Sequence, residues 1–424
     1  MKQGIVLGVI ADDFTGATDV AGMLVQAGMK TLLTIGVPEV GTPDTDAVVV
    51  ALKTRTVPAA EAVAKSLAAF HWLRGAGAQR FYFKYCSTFD STPKGNIGPV
   101  IDALMEVLST DFTIACPAFP VNGRTIYRGH LFVGDQLLSD SGMRNHPLTP
   151  MRDANLVRVL QSQYSGRVGL LRHDVVVQGV PAVQKAIDGL MAQGVRVAIA
   201  DCLADADLHV LAQACADFSL LTAGSGLALG LPKAYRERGW LQHDPMAAKL
   251  DRMVGRSAII SGSCSEATNA QVEAWRAAGK PAQAIDPRAL ARGEPVLDRT
   301  VNWARERLDR GPVLIYATTG VAELEAIQTE LGMAQAGELV ETALAQIARR
   351  LIDSGVQRLV VAGGETSGAV VQALRVEALR IGPAICPGVP WTQVEGRPLW
   401  LALKSGNFGG PEFFTDAFKV AAAS

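Results

Sequence analysis

A hydrophobic run at residues 5–10 (IVLGVI) leads directly into Ala11, two carboxylates and a glycine turn. This junction constrains the fold more than anything else in the chain. The run predicts a buried strand, and residues 16–28 carry a helical apolar pattern, so the junction reads as a strand delivering the chain into a helix. In an open α/β sheet that is where ligands bind. Asp12 and Asp13 are therefore candidates for chemistry, because a buried carboxylate needs a partner or a shifted pKa. The plainer alternative is that Asp13 or Thr15 only caps the helix, a task that needs just one such residue.

The same alternation continues along the chain. Residues 31–35, 47–52, 81–85 and 113–116 read as strands, with helical patterns at 59–73 and 99–108 between them. Such alternation predicts a mainly parallel sheet covered on both faces. Residues 117–151 break the rhythm with Gly, Pro, Arg, Asn and His, and a long irregular segment in a compact domain is more often functional than idle. Strands resume at 168–171, 195–200 and 220–223. Residues 232–256 turn charged and mixed, and a fresh α/β unit follows with strands at 258–261, 313–317, 359–362 and 399–403. The fold class is α/β, with two lobes of mainly parallel sheet. We expect a first domain over 1–235, a linker over 236–256 and a second domain over 257–424, with the active-site cleft between the lobes.

Composition excludes several functions. The formal net charge is −1 and basic residues are scattered, which leaves no stripe for nucleic-acid phosphates. Apolar runs are strand-sized, well below the ~20 residues of a membrane span. Acids arrive too early for a secretory leader. A cytoplasmic enzyme is the expectation. The six cysteines form no CxxC pair and the six histidines no HExxH spacing. A protein-only metal site and a disulfide framework are both disfavoured.

Three glycine- and hydroxyl-rich turns follow strands of the second lobe: Ser261, Gly262, Ser263, Cys264 and Ser265; then Gly363, Gly364, Glu365, Thr366, Ser367 and Gly368; then Lys404, Ser405, Gly406 and Asn407. Glycines admit close approach of a ligand, and free N–H groups at helix starts favour anions. One such turn means little. Three in one lobe predict a phosphate or nucleotide site. Neither GxxxxGK[ST] nor GxGxxG after a strand is present, so the cradle is neither a Walker A loop nor a dinucleotide fingerprint.

The first lobe holds complementary groups. Lys84 closes one strand pattern, followed by a loop with Asp90, Ser91, Thr92, Lys94, Gly95 and Asn96. The next strand leads to Asn122, Gly123 and Arg124. Hydroxyls, an amide and cations suit a small hydroxylated anion, with Arg shaped for a carboxylate and Lys a point charge. Together the lobes describe a kinase-like arrangement in which positioning and charge neutralisation do the chemistry. Asp13 is expected to orient or deprotonate the attacking hydroxyl, and Lys404 to offset charge on the transferring phosphate. Mg²⁺ is expected to arrive with ATP, held by phosphate oxygens, water and one carboxylate. The sequence does not choose between Glu365 and Asp12 for that ligand.

Four motifs carry a family resemblance: DDFTGA at 12–17, DST-x-KGN at 90–96, PAFPxxGR at 117–124 and GGETSGA at 363–369. In this order, and spread over nearly the whole chain, they resemble the four-carbon acid sugar kinase family. The resemblance implies an N-terminal substrate lobe, a C-terminal ATP lobe and phosphorylation of a four-carbon sugar acid at its terminal hydroxyl. KYCSTFDSTPKGNIG at 84–98 and SGMRNHPLTPMRD at 141–153 look like its 3-oxo-tetronate kinase branch. Sister threonate and erythronate kinases carry Leu-Arg where this chain has Pro93-Lys94, which keeps one cation without the fork. The resemblance further implies ATP contacts at 261–265, 363–366 and 405–407, and sugar-acid contacts at Asp12, Asp13 and 90–96. A two-lobed module that binds a sugar acid without turning it over is the alternative from another class. Residues 117–151 are expected to close over substrate or to brace a homodimer, which composition does not separate; Arg124 is expected to reach the acid.

Overall fold

The structure is a computed structural model that describes residues 4–38, 44–146, 149–242 and 244–423. Pro147 and Leu148, inside the stretch 141–153, and His243, inside the expected linker, lie outside the described residues. The chain divides into two compact units, Met1–Ala248 and Lys249–Ser424.

In the first unit the strands are β1 (Leu7–Ala11), β2 (Thr31–Ile35), β3 (Ala47–Ala51), β4 (Arg80–Lys84), β5 (Thr113–Cys116), β6 (Arg124–Tyr127), β7 (His130–Val133), β8 (Gln136–Leu137), β9 (Arg167–Leu171), β10 (Val195–Ala200) and β11 (Leu220–Ala223). The main sheet runs β2-β3-β1-β4-β11-β5-β10-β9, and its pairs are parallel. β1 and β3 are buried at every position. Their near-continuous Val, Ile, Leu and Ala runs are what a sheet covered on both faces requires. The helix Ile97–Leu108 buries Ile97, Val100, Ile101, Leu104 and Met105, a single face at helical spacing. Each such side chain contributes about 1.5–3 kcal/mol.

Residues 117–151 are less irregular than the sequence suggests. They hold a small antiparallel sheet, β6-β7-β8, pairing Tyr127 with His130 and Val133 with Gln136. The first turn uses Arg128 and Gly129, both at positive φ (53° and 75°), as a two-residue hairpin demands.

In the second unit the strands are β12 (Arg256–Ser261), β13 (Ala282–Ala284), β14 (Val313–Tyr316), β15 (Val356–Ala362), β16 (Ala378–Cys386), β17 (Val389–Val394) and β18 (Trp400–Lys404). They run β13-β14-β12-β15-β18-β17-β16, with β17 antiparallel to both its neighbours. The core joins Ile259, Leu314 and Val360 from the sheet with Trp275, Trp391, Trp400 and Phe414. Among the described residues no helix is long and apolar enough to cross a membrane.

Candidate functional site

Ala11, the last residue of β1, pairs with Ala51 of β3 on one side and Lys84 of β4 on the other. The chain order reverses at this point, since β2 and β3 lie to one side of β1 and β4 to the other. A reversal of this kind leaves a crevice at the strand ends. Asp12 and Asp13 leave β1 there, and Lys84 closes β4.

Arg55, just beyond β3, is the residue sequence reasoning missed. Its Nε donates to Asp12 Oδ2 at 2.9 Å and its Nη2 to Asp12 Oδ1 at 2.8 Å, a two-pronged clamp. The same Nη2 reaches Asp13 Oδ1 at 2.6 Å, and Nη1 lies 3.9 Å from Asp90 Oδ2. A signal was available: an arginine directly after a strand-like run next to the strand carrying the acids.

Asp13 caps the helix Phe14–Gln26, its Oδ1 accepting from the Gly16 N–H at 3.1 Å and its Oδ2 from Thr15 Oγ1 at 2.8 Å. The capping alternative is thus correct but incomplete. Gly16 is needed because a Cβ there would sit 2.2 Å from Asp13 Oδ1 and 2.4 Å from Lys84 Nζ. Burial works against ionising Asp13, but Arg55 and Lys84, with the Thr15 and Gly16 hydrogen bonds, outweigh it and hold the carboxyl at about 2. At Asp12 burial outweighs the pull of Arg55 and raises the pKa, with the neighbouring Asp13 charge adding to the rise. One turn further along the helix, Asp19 is buried with Oδ1 unpartnered, and burial raises it to about 6 despite Lys84.

The 90–96 loop is pinned to segments outside it. Ser91 Oγ donates to Gln163 Oε1 at 3.0 Å, and Gln163 Nε2 donates to the Thr92 carbonyl at 3.1 Å. Asn96 Nδ2 donates to the carbonyls of Thr54 (2.6 Å), Arg55 (3.1 Å) and Val57 (3.0 Å), pegging the Arg55 segment. Gly95 has no room for a side chain, since a Cβ would lie 1.9 Å from Ser91 Oγ. Lys94 is exposed, and its backbone N–H donates to Thr92 Oγ1 at 3.3 Å. Arg124 opens β6 within the field of Asp90 and Cys86; burial lowers its pKa and its Nε is a buried donor without a partner.

The second unit repeats the logic. β13 and β14 lie to one side of β12, and β15 and β18 to the other, so the turns after β12 and β15 flank another reversal. The three predicted turns interlock. Ser265 caps the helix Glu266–Ala277, and its hydroxyl donates to the Gly406 carbonyl at 2.7 Å. Cβ atoms at Gly406 and Gly262 would lie 2.5 Å from Ser263 Oγ and 2.3 Å from Thr366 Oγ1 respectively, so the loops pack glycine against hydroxyl. Gly363 and Gly364 lead into the helix Gly364–Ala373, whose first turn carries exposed Glu365 and buried Thr366. Ser405 is half-buried and Asn407 exposed. Two helix starts and a glycine cradle suit phosphate groups.

Lys404 is fully buried, and burial lowers its pKa to about 7. Its Nζ donates to Thr268 Oγ1 at 3.0 Å and to the carbonyls of Ser405 and Gly406 at 2.9 and 2.8 Å. Three donors meet three protein acceptors. Among the described residues no group of three or more His, Cys, Asp or Glu side chains could hold a metal ion.

An acid-and-arginine site at one sheet reversal and a glycine cradle at another define a two-domain α/β kinase. The family model described as a sugar-binding N-terminal domain matches residues 7–231, and that described as a nucleotide-binding C-terminal domain matches 258–414. The chain belongs to the four-carbon acid sugar kinase family. A protein of Burkholderia multivorans named 3-oxo-tetronate kinase is 60% identical over 98% of this chain and 97% of its own. One of the same name from Pseudomonas fluorescens is 61% identical over 97% and 96%. A crystal structure from Salmonella typhimurium LT2 superposes with a TM-score of 0.86 at 44% identity, covering 97% of this chain and 98% of that one.

Proposed function

We propose that the chain transfers the γ-phosphoryl group of ATP to the 4-hydroxyl of 3-oxo-tetronate, giving 3-oxo-tetronate 4-phosphate and ADP. The observation that carries this reading is near-full-length likeness, at 58–61% identity, to proteins named for that activity. The geometry supplies the parts. The hydroxyl oxygen bonds to the γ-phosphorus, the bridging bond to the β-phosphate breaks with its electrons going to ADP, and the hydroxyl proton, last to leave, passes to the Asp13 carboxylate and from there to water. Asp13, held ionised, accepts a hydrogen bond from that hydroxyl and aims it. Arg55 and Lys84 fix Asp13 and balance its charge. The unpartnered Nε of Arg124 receives the substrate's anionic end, supported by Thr92 and Lys94.

In the second unit the turns at Ser261–Ser265, Gly363–Thr366 and Ser405–Asn407 take the nucleotide phosphates. Lys404 holds the third turn in shape, and a direct bond to phosphate requires it to release one of its three acceptors. The donor set fits a Mg²⁺ ion carried on phosphate oxygens and water rather than in a protein cage. Glu365, in the first turn of the helix Gly364–Ala373 that opens from the cradle, would be the carboxylate to join it. Such an ion supplies charge neutralisation of the phosphates.

The test is coupled ADP release with ATP, Mg²⁺ and a panel of 3-oxo-tetronate, threonate and erythronate isomers. Fast turnover of an oxo-tetronate alone is expected. Preference for a plain tetronate would move the substrate to D-threonate or D-erythronate, and nucleotide binding without any turnover would return the chain to a binding module.

A further inference from the structure

A cavity of about 450 Å³ lies in the second unit against the turn that joins β17 to β18, lined by Arg380, Gln393, Val394, Arg397, Pro398 and Trp400 among others. Trp400 opens β18 and Lys404 closes it, so the cavity stands at the end of that strand away from the glycine turns. None of its lining residues belongs to either proposed site.

Pairing across the sheet sets four polar side chains in one row. Arg380 of β16 pairs with Gln393 of β17, Gln393 with Trp400 of β18, and Trp400 with Arg358 of β15. Directly paired residues share a face, on strands roughly 4.8 Å apart.

The row is rich in donors that lack acceptors. Trp400 is 2% exposed, and its indole N–H has no partner. The Nε of Arg358 is also buried and unpartnered; its Nη2 donates to the Gly255 carbonyl at 2.8 Å, and burial lowers its pKa with no carboxylate to offset it. Arg380 donates to the Lys249 carbonyl at 3.4 Å, and its Nη1 lies 3.9 Å from Asp251 Oδ1. Arg397 Nη1 donates to the Leu374 carbonyl at 2.9 Å. The two acids of the cavity, Asp251 and Glu395, are exposed, and Asp251 already accepts from Gln393 Nε2 at 2.6 Å. Three arginines thus stand against two acids. Buried polar groups are normally partnered, and what the buried part of this row lacks is an acceptor.

We propose that this cavity binds a small oxyanion, a phosphate or carboxylate group, between the guanidiniums of Arg380 and Arg397 and beside Trp400. Guanidinium forks match both groups, and such charge-assisted bonds are roughly twice as strong as neutral ones. The indole N–H is a donor only, so it too calls for an acceptor. Val394 and Pro398 give an apolar wall to the carbon skeleton that bears the anion. The volume falls within the roughly 300–1,000 Å³ of small-molecule sites.

The test follows the indole N–H signals of the six tryptophans of the full chain by heteronuclear NMR, with Trp400 assigned from Trp400→Phe. Inorganic phosphate, acetate and chloride are titrated separately. The Trp400 signal is expected to shift saturably with phosphate or acetate, at a Kd of about 1 mM or tighter, and not with chloride. The tighter of the two anions identifies the group. Arg380→Gln should weaken that binding about tenfold or more with thermal melting unchanged, and Arg397→Gln gives the same reading if the first variant disturbs folding. A Trp400 signal that stays still, that follows chloride equally, or that shifts as strongly in the folded arginine variants overturns the site. Phosphate held by the glycine turns would act alike on parent and variants, so it does not imitate the expected result. The outcome stands apart from whatever acid the chain phosphorylates.

Discussion

Arg55 and Asp12 lie fork to fork, with two bonds of 2.9 and 2.8 Å between them, and one prong continues to Asp13 at 2.6 Å. The acid pair at the head of the first helix is therefore a triad with a cation in it. This explains how two adjacent carboxylates share a largely buried position.

Arg55→Lys keeps the charge but removes the planar fork. We expect kcat/KM for the sugar acid to fall about 100-fold, since Asp13 loses its fixed bearing. Arg55→Ala should also lower stability by about 3 kcal/mol, because it strands buried carboxylates. Steady-state kinetics and urea melts check both, and a lysine variant within threefold of the parent would sink the assignment.

Asp13→Asn should reduce kcat by about 10²-fold or more, with KM for ATP little changed. Because the carboxyl is held at about 2, it stays ionised throughout the working range. Any loss of activity between pH 5 and 7 then belongs to another group. The stability Asp13 gains from its partners is present above the ordinary carboxylate value of 3.8 and is lost as pH falls toward about 2. Acid melts of the two proteins should converge only below about pH 2.

Gly95→Ala and Gly406→Ala make a crossed pair. The first drives a Cβ toward Ser91 Oγ in the proposed substrate loop and the second toward Ser263 Oγ in the proposed nucleotide cradle. Gly95→Ala should raise KM for the acid about tenfold and leave KM for ATP unchanged, and Gly406→Ala should do the reverse. If either variant moves both constants equally, the division of labour is wrong.

Asp19 supplies a pH test of stability. Its folded pKa is raised to about 6, so the fold favours the neutral acid. That preference is fully present below the unfolded value near 3.8 and is lost as pH climbs through about 6, leaving a penalty of about 3 kcal/mol at pH 8. Asp19→Asn should therefore melt higher than the parent at pH 8 and with no such advantage at pH 4. Equal differences at both pH values would refute the burial account.

Most of the parallel framework was legible because its strands are unbroken apolar runs. Residues 31–35, 113–116, 195–200 and 220–223 come out with the bounds their apolar pattern predicts. The hairpin of β16 and β17 was not visible. Gly382, Pro383, Pro387 and Gly388 interrupt its alternation, and proline in a strand argues against one. β13 is three residues long and too short to carry a period. Among the candidate site residues, Asp12, Asp13 and the glycine turns stand out in the sequence because they follow clear strands. Arg55 sits in LKTRT, which reads as an ordinary exit loop, and Gln163 joins the 90–96 loop from some 70 residues away. Pairings at that separation leave no local pattern to read.

The three bonds from Asn96 to the carbonyls of residues 54, 55 and 57 bear on any attempt to re-tool this enzyme for another sugar acid. The loop a designer would exchange first is riveted to the backbone that presents Arg55. A graft that takes 90–96 from a relative without its 54–57 would set the new loop on a foreign mount and turn the guanidinium away from the acids. The heritable cassette is thus split in sequence and single in space, and substrate preference should travel only when both pieces move together.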